Sequence, residues 1–547
     1  MFLHSLFLVV LKVTAVFATN PGVAFEQDNS LPLLRLPYGT WRASQYNKDA
    51  DVYTFRNIRY GAPPVGELRW ARPAPPKYTH GIQDGSYGPN CIPIALPGSE
   101  GDHMSENTTT KADEDCLFLD AYVPRKVLRK HKRNTPVVVW IHGGGFTVGS
   151  KDTDLGMGYY DGTGLIQQAD HDLIVITINY RLGGFGFLAG EPLRTAGTFH
   201  AGLHDQRAAL AWVQSYIHLL GGDPDNVSAW GQSAGAGSIM YHLVAEGGTL
   251  DPLFQRAFVQ SPGFASGMDM EYQYERFQNF TALAGCEDAG SHVMDCLRAV
   301  DASVLTEVNK QVFSWEASPV PDGMYIQSTA DVELAKGNYW KYLDSLMISN
   351  VLDEGSILVP QPIPPNQLEN NIYFHFPSRA YHLAQEMVDF YRRRYANSPP
   401  AEMITDMTRD LTITCHQRTL SEAYAKITWA TQYSYLDGVL NGVHASESVA
   451  QWYNPQLSNR TEPLFAEYQR YITNHARSGN PNNNNHPGPK ATGLLNWPKI
   501  EGIEREEMGN VLNMTNAGFE LTDGDQMLRS TCGTWTKLLV EAASMSG

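Results

Sequence analysis

The sequence predicts an α/β fold built on a large, mostly parallel sheet flanked by helices. Three observations carry that expectation. Two apolar runs, TPVVVWIHGGGF (135–146) and DLIVITINYRLGGFGFL (172–188), are rich in Val and Ile, lack strict alternation and end in glycines. Strands buried on both faces read this way, as they do in parallel sheets covered by helices. Helical periodicity lies between and after them, as in HDQRAALAWVQSYIHLL (204–220), which stops at Gly221-Gly222. Then comes NVSAW as a short strand, a glycine-rich turn around Ser233, and SIMYHLVAE as the start of a helix.

The 547 residues are enough for one large domain with insertions, and neither an internal repeat nor a linker divides them. Hydrophobic residues make up 42% and charged residues 18%, a globular balance. A net charge of -17 argues against a nucleic-acid partner, which needs a concentrated positive surface. The basic run RKVLRKHKR (125–133) reads as a solvated loop. Residues 1–18, MFLHSLFLVVLKVTAVFA, read as a signal peptide with cleavage expected before Thr19, leaving 19–547 as one domain. Lys12 interrupts the apolar stretch, and no later segment has the uninterrupted apolar length of a membrane span. Asn-x-Ser/Thr sequons at Asn107, Asn226, Asn279, Asn459 and Asn513 fit export as glycosylation sites, with Asn226 expected to be buried before the strand. The spacing of the six cysteines suggests three disulfides: Cys91 and Cys116, Cys286 and Cys296, and the remaining Cys415 and Cys532. No Cys-x-x-Cys or His-rich cluster suggests a metal.

The turn WGQSAG places Ser233 in a G-x-S-x-G setting between a strand and a helix, the context that raises a serine as a nucleophile. Only small residues at 231 and 235 are expected to avoid a clash there. A serine hydroxyl needs a base to take its proton and an acid to orient that base. WKYLDSLMISNVLDEGS (340–356) offers a strand ending in Asp353-Glu354-Gly355, and spacing alone leaves either carboxylate open. TWATQYSYLDGVLNGVHASES (428–448) offers a strand and a loop carrying His444, whereas His416, His475 and His142 read as structural. HGGGF (142–146) follows a buried strand, so Gly144 and Gly145, with Ala234 after the serine, are the expected oxyanion donors.

These segments resemble the type-B carboxylesterase/lipase family, which includes cholinesterases, and are most similar to its secreted fungal members. The resemblance runs from about residue 20 to the C-terminus through FRNIRYGAPPVGELRWARPAP (55–75), EDCLFLDAYVP (114–124), WIHGGGF (140–146), NYRLGGFGFL (179–188), GGDPDNVSAWGQSAG (221–235), PVPDG (319–323), DEG (353–355) and GVHASE (442–447). It implies a single α/β-hydrolase domain, Ser233 as nucleophile, Glu354 rather than Asp353 as acid, and His444 as base. It also implies the disulfides Cys91–Cys116, Cys286–Cys296 and Cys415–Cys532, and ion pairs Arg69–Glu114 and Arg181–Asp205.

Departures from the family narrow the substrate. The Cys91–Cys116 segment has no aromatic residue to hold a quaternary ammonium, and Gln232 stands where cholinesterases carry a glutamate, so choline esters are not expected. The same segment is largely polar, unlike an apolar lipase lid. Phe313 and Trp315 fall where relatives place acyl-pocket aromatics, which would favour short acyl groups. The expected function is a secreted serine carboxylesterase acting without a cofactor on soluble short- to medium-acyl or natural-product esters. The expected partner is a small-molecule ester, with no nucleic acid and no membrane span. The alternatives are an acyltransferase of the same fold and a non-catalytic binding protein.

Overall fold

The computed structural model describes residues 21–24, 31–94, 112–129, 134–154, 158–265, 270–313, 317–359, 362–364, 366–438, 440–455, 462–483 and 495–545. The expected signal peptide and the sequons at Asn107 and Asn459 lie outside them. The fold is an α/β-hydrolase fold centred on an 11-stranded sheet. Its strands are β1 (Gln45–Asn47), β2 (Val52–Arg59), β3 (Phe118–Pro124), β4 (Thr135–Ile141), β5 (Ile174–Ile178) and β6 (Gly222–Gln232). They continue with β7 (Arg256–Gln260), β8 (Ser345–Val351), β9 (Thr428–Tyr433), β10 (Met508–Thr515) and β11 (Gly518–Gly524). The spatial order is β11-β10-β9-β8-β7-β6-β4-β5-β3-β2-β1. Pairing is parallel from β5 to β10 and antiparallel at both edges.

The missing alternation in the two apolar runs has its explanation here. Val137, Val139, Ile174 and Ile176 enter one core cluster, while Val138, Trp140 and Val175 enter another on the opposite face. Each face is covered, so successive residues are apolar whichever way they point. A third core joins the helices Gln367–Phe374, Tyr381–Arg394, Pro400–Arg409 and Arg529–Ser544 around Cys415 and Cys532. All three disulfides pair as expected, Cys91–Cys116, Cys286–Cys296 and Cys415–Cys532. The helix predicted at 204–220 begins earlier, as Ala201–Tyr216 followed by one tighter turn, and Gly221 closes it with φ of 86°. The basic run differs from its expected loop: Arg125–Arg129 forms a short helix, because Val127 and Leu128 are buried against the core.

Two internal ion pairs lock the segments before the site. Arg69 donates to both oxygens of Glu114 at 2.7 Å, and Arg181 donates to both oxygens of Asp205 at 2.7 Å. Both pairs are buried, so loss of one partner strands an uncompensated charge. Among the described residues, no helix is long and apolar enough to cross a membrane. Asp205→Ala is expected to lower unfolding free energy by ~3–5 kcal/mol in urea titrations. Glu307→Ala, which breaks the exposed pair Lys310–Glu307, should leave the midpoint unmoved. Equal effects of the two substitutions would contradict this assignment of the stabilising charge.

Candidate active site

Ser233 sits between β6 and the helix Ala234–Gly248 with φ 55° and ψ -125°, a strained conformation for a residue with a side chain. The turn holds because its neighbours are small. A Cβ on Gly231 would meet the carbonyl carbon of Gly235 at 2.5 Å, and a Cβ on Gly235 would meet the Ile141 carbonyl oxygen at 2.0 Å. The expected need for small residues at 231 and 235 is thus a matter of backbone contact. The Ser233 amide donates to Gln260 O at 2.9 Å, and the Ser233 carbonyl accepts from Gly237 and Gly263 amides at 2.9 Å each. Tied to β7 and to its own helix, the turn presents the hydroxyl at the C-terminal end of the parallel strands, where sheets of this kind bind ligands.

Glu354 and His444 arrive on loops after β8 and β9. Those loops are joined: the Asp353 amide donates to Gly442 O at 2.8 Å, and the Leu352 amide donates to Tyr433 O at 2.9 Å. The join sets Glu354 beneath the imidazole. His444 Nδ1 lies 2.6 Å from Glu354 Oε2, and Nε2 lies 3.0 Å from Ser233 Oγ. With Nδ1–H donated to the carboxylate, Nε2 of neutral His444 is free to accept the serine proton. Burial pushes the imidazole pKa down. The hydrogen bond and charge of Glu354 outweigh burial and hold it above its ordinary value. Asp353, left open by spacing, instead accepts the Ser356 amide at 3.0 Å.

Three further side chains complete the setting. Glu354 is fully buried, and its Oε1 accepts from Ser261 Oγ at 2.6 Å and from the Val351 amide at 2.8 Å. Ser261 also lies 3.3 Å from Glu447 Oε1. Burial, then the charge of Glu354, push the Glu447 carboxyl up to about 8, so it is protonated at neutral pH and can donate back toward Ser261. The Gln232 side-chain nitrogen stands 3.2 Å from His444 Nε2, a second donor aimed at the ring nitrogen that faces Ser233 Oγ. Sequence reasoning assigns no role to Ser261, an isolated serine after a strand, or to Glu447, which lies in the motif GVHASE without a function attached to it. Gln232 was noticed only as a departure from cholinesterases.

The glycine turn lies against the serine: a Cβ on Gly143 would fall 3.0 Å from Ser233 Cβ. Gly144 has φ 104° and Gly145 φ 60°, and a Cβ on Gly144 would strike the Val148 carbonyl at 2.3 Å. Among the described residues, no protein acceptor takes the amide N–H of Gly144, Gly145 or Ala234. His142 is buried and stacks on Tyr180 at 4.3 Å, and burial holds its pKa down at about 4. His475 is buried beside Ser345 Oγ at 2.7 Å, and His416 contacts Asp331 at 2.6 Å. Phe313 is fully buried, with the Arg276 guanidinium 4.7 Å over its ring and Phe280 edge-on at 6.3 Å. These contacts pack Phe313 against the helix Met270–Leu283. Trp315 lies outside the described residues. Of the remaining sequons, Asn279 is exposed, the Asn226 side chain accepts from Arg256, and half-buried Asn513 donates to Glu520 at 3.3 Å.

The family model described as the carboxylesterase family matches residues 30–530. A protein named secreted lipase from Arthroderma benhamiae is 39% identical over 524 residues, covering 95% of each chain. Carboxylesterase patB of Aspergillus clavatus is 28% identical over 88% of this chain and 92% of its own. Among solved structures, EstA of Aspergillus niger superposes with a TM-score of 0.78 at 24% identity, over 94% of this chain and 100% of that one. The match over the length of the fold means that the chain belongs to the carboxylesterase family.

Proposed function

We propose that this chain is a secreted serine carboxylesterase that hydrolyses carboxylic esters through Ser233, His444 and Glu354 by way of an acyl-enzyme. The observation carrying the reading is the continuous line of hydrogen bonds from Ser233 Oγ through both ring nitrogens of His444 to Glu354. His444 takes the hydroxyl proton as Oγ attacks the ester carbonyl, and the imidazolium formed is stabilised by Glu354. The Gly144, Gly145 and Ala234 amides receive the developing oxyanion, each such donor being worth ~3 kcal/mol in related chemistry. His444 returns its proton to the leaving alkoxide, releasing the alcohol. Water then repeats the sequence on the acyl-enzyme, yielding the acid and restoring Ser233. Gln232 Nε2 competes for the lone pair of His444 Nε2 until substrate arrives, so neutral His444 is shared in the resting site.

Secretion is supported by the N-terminal 18 residues, by three disulfides, which persist in oxidising compartments, and by the secreted relative. The polar, non-aromatic character of the Cys91–Cys116 segment favours soluble short- to medium-acyl esters. One observation favours a second reading, action on dispersed lipid: the 39% identical relative is named a lipase.

Turnover of p-nitrophenyl esters from acetate to palmitate, and of tributyrin across its solubility limit, separates the two. The esterase reading expects the highest kcat/KM at acetate to butyrate and no jump in tributyrin rate when droplets form. Ser233→Ala should fold normally and lose at least ~10⁴-fold in kcat on every ester. Turnover retained in that variant would remove the triad from the account. Because His444 must be neutral to act, and its pKa is raised in the folded site, kcat/KM should rise with pH through a midpoint above about 6.5. In Glu354→Gln the residual activity should show a midpoint shifted downward. A wild-type acid limb centred well below that ordinary histidine value would contradict the His444–Glu354 coupling.

A further inference from the structure

The segment Ser261–Ala265 touches both the acid and the nucleophile within a few residues. Ser261 donates to Glu354, the Gly263 amide donates to Ser233 O at 2.9 Å, and a Cβ on Gly263 would stand 3.2 Å from Ser233 Oγ. Backbone at Gly263 therefore forms the wall beside the hydroxyl. Its two following carbonyls are held from elsewhere in the chain. His416 Nε2 lies 3.2 Å from Phe264 O, and Ser318 Oγ donates to Ala265 O at 2.9 Å. The His416 ring also stacks on the Phe264 ring with centroids 3.7 Å apart and planes 11° apart. The other side of Phe264 meets Tyr241 at 5.0 Å and Gly237, where a Cβ would fall 2.9 Å from Phe264 Cδ1. Phe264 is thus gripped between the helix that follows the nucleophile and His416.

The orientation of the His416 ring follows from what it faces. A carbonyl oxygen accepts only, so Nε2 must carry a hydrogen. Nδ1 faces Asp331 Oδ2 at 2.6 Å, and both residues are buried. Both ring nitrogens are thereby engaged. The neighbouring titratable groups do not compete: burial, then the charge of His416, hold His375 down at about 3, and burial holds the Tyr241 phenol far up. The platform is rigid. The helix Cys415–Ala423 is pinned by the Cys415–Cys532 bond, and the Arg418 guanidinium donates to the carbonyls of Ile503, Arg505, Glu506 and Met527.

We propose that His416, oriented by Asp331, is a positioning residue that fixes the Gly263–Ala265 wall beside Ser233 and thereby sets which ester groups the site accepts. The inference rests on the triad reading and adds a specificity device to it. The bonds of His416 go to Asp331 and Phe264 rather than to Ser233 or His444, so it acts through the backbone of Phe264. A wall displaced by a fraction of an ångström changes the fit of substrate far more than it changes the proton transfer, because the triad hydrogen bonds are made elsewhere.

The test compares wild type, D331N and H416F/D331N on two ester series, one lengthened on the acyl side and one on the alcohol side. D331N should keep wild-type ratios of kcat/KM along both series. The introduced amide can donate to Nδ1 while Nε2–H still reaches Phe264. H416F/D331N keeps the stacked ring and leaves no buried charge, but removes the bond to Phe264 O. Its ratio between the shortest and longest ester should move by about tenfold in at least one series. Labelling of Ser233 by a small fluorophosphonate should stay within about threefold of wild type, since the triad is intact. Unchanged ratios in the double variant, or a uniform loss across all esters, would overturn the proposal. Ser318→Ala gives a second arm should the double variant fail to fold: a smaller change in the same ratios supports the wall, and no change overturns it. Failure of the triad reading looks different, as wild-type hydrolysis that survives Ser233→Ala, and it would take this proposal with it.

Discussion

A carboxylate with no solvent access organises the site. Glu354 is fully buried, and a buried charge survives only where hydrogen bonds and counter-charge replace its water. Ser261 and the Val351 amide satisfy one oxygen and His444 the other. The arrangement leaves Glu354 no second geometry, so His444 is fixed in one tautomer with Nε2 toward Ser233. Protonated Glu447 keeps a second negative charge from forming beside the first. The net result is one negative charge under one imidazole, the condition that favours the imidazolium over the neutral ring.

The groups that meet here are far apart in sequence, 211 residues between Ser233 and His444 and 90 between Glu354 and His444. Parallel pairing brings them together, because β6, β8 and β9 all end on one edge of the sheet and release their loops on the same side. The hydrogen bonds between the Leu352–Asp353 and Tyr433–Gly442 backbones then turn two neighbouring loops into one unit. Strain at Ser233 and close glycine packing around it complete the constellation, which is costly locally and is held by the sheet on both faces.

The motifs made the skeleton of this site readable. Ser233, His444 and the glycine turn stood out because each needs particular residue types in a particular strand context. The choice between Asp353 and Glu354 was not readable from spacing, since a shift of one residue decides which carboxylate turns inward. The shift depends on a bridge to Val443 that only the folded chain contains. The roles of Ser261 and Glu447 were unreadable for the same reason: each is a contact, across 93 and 186 residues. Phe313, an aromatic near a familiar motif, is fully buried with its ring against Arg276 and Phe280. The basic run at 125–133 hid two apolar side chains, enough to fold its first part into a helix against the core.

The central claim is that Ser233 Oγ is the one nucleophile made reactive by this buried pair. The most direct measurement is stoichiometric labelling with a fluorophosphonate, followed by peptide mass mapping alongside residual esterase activity. A single adduct on Ser233 is expected, its extent matching the activity lost, with no adduct formed in Glu354→Gln on the same timescale. Activity that vanishes while Ser233 stays unmodified, or full labelling that leaves hydrolysis intact, would contradict it.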